Sequence, residues 1–170
     1  MKAFIALLRA VNVGGTGKLP MTELKSMCEA ADFKSVRTYI ASGNVVFQSS
    51  KTEAQVKAAL EAALAAYAGK PVGVVVRTAA EMAAVLAGNP FSQMPTNLTV
   101  AIFLDKAPAA DALRVLSGHA SEQLRLDRRE IYVYYPDGQG QSKLKIPAAK
   151  HGTARNMNTV AKLAEMAASL

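Results

Sequence analysis

The stretch Arg9-Ala-Val-Asn12-Val-Gly14-Gly15-Thr16-Gly17-Lys18 opens and closes on a cation, holds three glycines and contains no carboxylate. Glycines let successive backbone N–H groups converge, and such a loop leading into a helix can cradle an anion between amide dipoles and fixed positive charge. Arg9, Asn12, Gly14, Gly15 and Lys18 are therefore candidate ligands for a phosphate-bearing small molecule or nucleotide. A turn that needs positive φ ahead of a helix explains the glycines equally well, and Lys18 tips the balance toward the anion. The named nucleotide motifs do not fit. A Walker A loop ending on Gly17-Lys18 would need Gly at 12 and Ser or Thr at 19, where Asn12 and Leu19 stand, and G-x-G-x-x-G is absent.

A second electropositive segment lies near the C-terminus. Between Asp137 and Glu165 there is no carboxylate, while Lys143, Lys145, Lys150, Arg155 and Lys162 all fall inside it. Arg155 is suited to gripping a carboxylate or phosphate bidentately, or to fastening one element to another. Asn156, Asn158 and Thr159 are mediocre helix formers in what reads as the first turns of a helix, which suggests hydrogen-bonding duties. Lys143, Arg155 and Asn156 therefore join the candidate ligand-binding set.

Other chemistries find less support. The single cysteine, Cys28, lies on the apolar face of a helical pattern and reads as a buried thiol, excluding an internal disulfide and suiting a reducing, cytoplasmic setting. His119 and His151 lack metal-ligand spacing, so no metal site is expected, and no cofactor is indicated. No Ser/His/Asp or Cys/His arrangement stands out; Tyr39, Lys18 and Lys143 are the residues available to an enzyme using acid–base chemistry. The formal charge of +7 is spread evenly, with ten Lys/Arg against six acids in residues 1–85 and ten against seven in 86–170, so there is no basic arm. Nucleic-acid binding is the alternative class, with Tyr132, Tyr134 and Tyr135 near Arg125, Arg128 and Arg129 as its aromatic and basic surface. The apolar run Phe4–Leu8 is too short for a signal core or a membrane span and reads as a strand.

The elements that must position these residues follow from periodicity and punctuation. Residues 3–9 read as a strand and 20–32 as a helix opened by Pro20; strands at 35–41 and 44–48 are joined at Ser42-Gly43-Asn44. Thr52 and Gln55 form a capping box for a helix with Val56, Leu60, Ala63, Leu64 and Tyr67 on its apolar face, followed by a strand at Val72–Val76. This order is the βαββαβ of a ferredoxin-like unit. A second capping box at Thr78 and Glu81 opens a short helix; then come a strand at 98–104, a helix near 109–117, strands near 122–127 and 130–135, and a last helix from about Thr153.

The second series imperfectly repeats the first. The fold class expected is α+β, with ferredoxin-like halves at 1–78 and 79–170 sharing one core, because runs such as Phe4–Leu8 are apolar at consecutive positions, as in a sheet covered on both faces. In such a unit the first and second strands run parallel, so Arg9–Lys18 should meet Ser42 and Asn44 at one sheet edge, with Arg77 at the opposite edge. Ser42 and Asn44 are candidates on that ground, although a plain hairpin turn also accounts for them.

The segments RAVNVGGTGKLPM, VRTYIASGNVVFQS, VVVRTAAEM followed by NPF, YYPDGQGQSKL and TARNMNTV together resemble the successive signature blocks of a bacterial family classed as domain of unknown function 1697. The resemblance spans nearly the whole chain, and implies two ferredoxin-like subdomains and no particular activity. Family members commonly carry an aromatic residue where Met157 stands, so any ligand contact made by that ring is altered here.

Overall fold

The computed structural model describes residues 1–12 and 18–170, which divide into unit 1 (Met1–Ala83 with Lys162–Leu170) and unit 2 (Ala84–Ala161). The chain is α+β, and its described residues hold two four-stranded antiparallel sheets and four α-helices.

In unit 1 the chain runs β1 (Lys2–Leu8), α1 (Met21–Ala30), β2 (Lys34–Tyr39), β3 (Asn44–Ser49), α2 (Glu53–Ala68) and β4 (Val74–Thr78), with sheet order β2-β3-β1-β4. Every residue from Phe4 to Leu8 is buried, as the unbroken apolar run anticipates for a central strand covered on both faces. On one face Phe4, Ala6 and Leu8 join Val45 and Phe47 against Leu24 and Cys28 of α1 and Val56, Leu60 and Leu64 of α2. Phe33 stacks on Phe47 with ring centroids 4.3 Å apart. Burial pushes the Cys28 thiol up to about 12, with help from the charge of Glu29, so the cysteine is an inert core residue. The Thr52–Gln55 capping box is present, and α2 stops at Gly69, whose left-handed φ of 71° suits a residue without a side chain. Pro20 stands just before α1, as its N-cap.

Strand β4 begins two residues later than its apolar run suggests. The carbonyl of Gly73 already receives the Arg9 N–H at 2.9 Å, and ladder pairing starts at Val74, opposite Leu8. Arg77 is consequently inside the strand, opposite Ile5 and 1% exposed, with its Nη1 donating to the Val76 carbonyl at 3.0 Å. Thr78 and Glu81 exchange the two bonds of a capping box and launch α3 (Ala79–Ala87).

Unit 2 contributes β5 (Thr99–Phe103), β6 (Gln123–Asp127), β7 (Glu130–Tyr134) and β8 (Thr153–Asn156), ordered β6-β7-β5-β8, and the start of α4 (Met157–Ala168). Its core face carries Val100, Ile102, Ile131 and Val133. Two expectations are corrected here. The helix anticipated near 109–117 is a single 3-10 turn, Ala112–Arg114. Ser117 and Lys145 exchange backbone hydrogen bonds of 3.2 and 2.8 Å, which requires extended backbone and stops a helix from propagating. The last helix does not start at Thr153: residues 153–156 pair with β5, with Thr153 and Arg155 buried, and the helix begins at Met157, itself buried. Asn156, with Oδ1 accepting the Thr159 N–H at 3.0 Å, is the cap.

Candidate functional site

The residues around the glycine-rich loop meet because antiparallel pairing fixes three chain segments on one edge of the unit 1 sheet. Leu7 lies opposite Asn44 and Leu8 opposite Val74, so the end of β1, the turn before β3 and the start of β4 are neighbours. Asn12 fastens this edge. Its Oδ1 accepts the Leu19 N–H at 2.6 Å, and its Nδ2 donates to the carbonyls of Leu19 and Ala41, both at 2.8 Å. Its φ of 55° is a conformation that asparagine tolerates better than most residues. Gly43, at φ 89°, receives the Leu8 N–H at 2.8 Å on its carbonyl, and a Cβ there would lie 2.7 Å from Val11 Cγ2. Asn44 is buried and donates to the Tyr39 carbonyl and to Ser42 Oγ, both at 2.9 Å. Ser42 and Asn44 thus sit beside Asn12 as the topology requires, and these bonds serve the turn. Gly14 and Gly15 lie outside the described residues.

Beside this edge is a cavity of about 660 Å³, within the range of small-molecule sites. Its charged lining is Arg9 from the end of β1, Lys18 from before α1, and Lys70 from the link between α2 and β4. All three are exposed, and no carboxylate is among the described lining residues. Its apolar lining includes Leu64 and Tyr67, one turn apart near the end of α2, and Val72. Gly73 brings backbone against Arg9. The last carbonyls of α2 carry partial negative charge, which favours the cation placed just after the Gly69 cap. An anion seated here would relieve the mutual repulsion of three like charges, while the apolar wall would receive a less polar body.

Lys70 and Tyr67 belong to this arrangement and were not singled out from sequence. A usable signal exists: if Arg77 lies away from the loop edge, the start of β4 and the Lys70-Pro71-Val72 link must lie on it. Tyr67, placed on the apolar face of α2 by periodicity, is 47% exposed.

The remaining candidates lie in unit 2. Lys143 lines a smaller cavity, about 170 Å³, together with Glu122, Tyr135 and Asp137. The Glu122 carboxylate accepts from Ser142 Oγ and from the Ala120 N–H, and these bonds hold its carboxyl below the usual range. Arg155 is 8% exposed; Nη1 donates to Thr153 Oγ1 at 2.8 Å and to the Ala154 carbonyl at 3.0 Å, and burial lowers its pKa to about 10. Arg155 and Asn156 line neither cavity. Of the residues available to acid–base chemistry, Lys18 lines the larger of these two cavities, Lys143 the smaller and Tyr39 neither. Tyr132 is fully buried with Oη donating to the Val85 carbonyl at 2.7 Å, and Tyr135 is buried, so these rings do not form an open stacking face.

The sequence model of the family described as "Protein of unknown function (DUF1697)" matches residues 1–132. The chain belongs to this family. The matched residues include every lining residue of the larger cavity and stop short of Lys143, Arg155 and Asn156. No curated protein matches the chain. Among solved structures it is similar to the conserved bacterial protein SP0830 from Streptococcus pneumoniae, with a TM-score of 0.78, 24% identity and 98% of each chain covered, a likeness of fold. No helix among the described residues is long and apolar enough to cross a membrane.

Proposed function

We propose that the chain binds a phosphate-bearing small molecule or nucleotide in the unit 1 cavity, through Arg9, Lys18 and Lys70. The observation that carries this reading is the lining itself: three cations and no described carboxylate around about 660 Å³, beside an apolar wall. Asn12, Ser42 and Asn44 act as the frame, since Asn12 bonds to the backbone of Leu19 and Ala41 and Asn44 bonds to the Tyr39 carbonyl and to Ser42. The accompanying fold reading is a pair of ferredoxin-like repeats, supported by the strand orders β2-β3-β1-β4 and β6-β7-β5-β8. The buried, inert Cys28 is consistent with a cytoplasmic setting.

A thermal-shift screen of nucleotides, sugar phosphates and oligonucleotides tests the reading. A small phosphate compound should raise Tm, by the equivalent of about 2.7 kcal/mol at a hundredfold excess over its Kd, and Lys18→Ala should reduce the shift. A compact ligand gives a shallow loss of affinity with salt, whereas a nucleic acid spanning many phosphates gives a steep one. Absence of any shift with phosphate compounds, or a shift that survives Lys18→Ala undiminished, overturns the reading.

A further inference from the structure

We infer that the ligand of the unit 1 cavity carries a planar ring alongside its phosphate, and that Tyr67 is the residue that selects it; the inference rests on the phosphate reading above. The cations Arg9, Lys18 and Lys70 supply the charged part of the lining. Apart from them and the Tyr67 hydroxyl, no described lining residue has a polar side chain. A planar ring needs an apolar wall and an aromatic face, and the end of α2 offers both: Leu64 is 1% exposed and fixed in the core, while Tyr67, one turn on, is 47% exposed and lines the cavity. Nearly half the surface of a large aromatic side chain is left to water at the rim of a cation-lined cavity, where a stacked base would cover it. The ligand class is therefore a nucleoside phosphate, whose base adds to a sugar phosphate the flat surface that Tyr67 can cover.

The test is calorimetric titration of the full chain at fixed ionic strength with AMP, ribose 5-phosphate and inorganic phosphate, in wild type, Tyr67→Ala and Tyr67→Phe. Stacking should make AMP bind about tenfold tighter than ribose 5-phosphate in wild type. Tyr67→Ala should bring AMP down to the level of ribose 5-phosphate without weakening the latter, and Tyr67→Phe, which keeps a ring, should retain the preference. Equal binding of AMP and ribose 5-phosphate by wild type, or a preference that survives Tyr67→Ala, overturns the ring inference and leaves the phosphate site standing. Failure of all three probes to bind overturns both.

Discussion

In unit 1 the strand order β2-β3-β1-β4 is assembled with α1 and α2 in its connections, ten and sixteen residues long; in unit 2 the same order, β6-β7-β5-β8, is assembled with 3-10 turns of three residues. The parallel extends to side chains. Arg77 of β4 and Arg155 of β8 each stand one residue before the strand end, buried, with Nη1 donating to the preceding carbonyl at 3.0 Å. Thr78 and Asn156 then cap α3 and α4 by accepting an N–H three residues on. What differs is the cavity beside each sheet. Where α2 ends, its last turns wall a space lined by three cations; where no helix ends, the smaller space places Lys143 with the carboxylates of Glu122 and Asp137. A shared strand order does not by itself make a cation-lined cavity. The basic links beside the end of α2 do.

The largest expected effect probes the helix-covered core that distinguishes unit 1. Phe47→Ala removes the partner of Phe33 at 4.3 Å and leaves a void beneath α1 and α2, lowering stability by about 3–5 kcal/mol in urea denaturation. A loss below 1 kcal/mol would show that this layer is not tightly packed. Asn12→Gly preserves the positive φ but removes three hydrogen bonds, and should lower stability by about 2 kcal/mol and weaken phosphate binding as the loop ends part. If stability falls while affinity is unchanged, Asn12 is a frame without influence on the cavity. Thr78→Ala and Asn156→Ala should each lower stability by about 1 kcal/mol, and a large inequality would break the correspondence between the two strand-to-helix junctions.

The smallest effect concerns acid. Hydrogen bonds from Ser142 and Ala120 hold the Glu122 carboxyl low in the folded state, so the stability it contributes is fully present above the ordinary glutamate value, about 4.3, and is lost as pH falls through the lower folded value. Glu122→Gln should flatten that part of the pH–stability curve; an unchanged curve would contradict the role assigned to the carboxylate.

Much of unit 1 was legible in its sequence because its signals are local: the Thr52–Gln55 box, the turn at Ser42-Gly43-Asn44 and the apolar run Phe4–Leu8 all survive into the fold. Unit 2 was less legible where distant pairing overrides local preference. Thr153 looks like a helix cap, but pairing with Phe103 holds it in a strand and passes capping to Asn156. The segment near 109–117 has helical spacing, yet Ser117 is drawn into pairing with Lys145. For the candidate site, Arg9 and Lys18 were visible as the cations bounding a glycine loop, and both line the larger cavity. Lys70 and Tyr67 were not, since only the approach of the α2 terminus to the start of β4 gives them a common cavity.

The most direct test of the central claim is a calorimetric titration of ADP into wild type, the double variant Lys18→Ala with Lys70→Ala, and Lys143→Ala. All three lysines are exposed, so the substitutions leave the cores intact. The double variant should lose at least about tenfold in affinity, as expected when charge-assisted hydrogen bonds are removed, and Lys143→Ala no more than about twofold. An equal loss in Lys143→Ala, or unchanged binding in the double variant, would contradict binding in the unit 1 cavity.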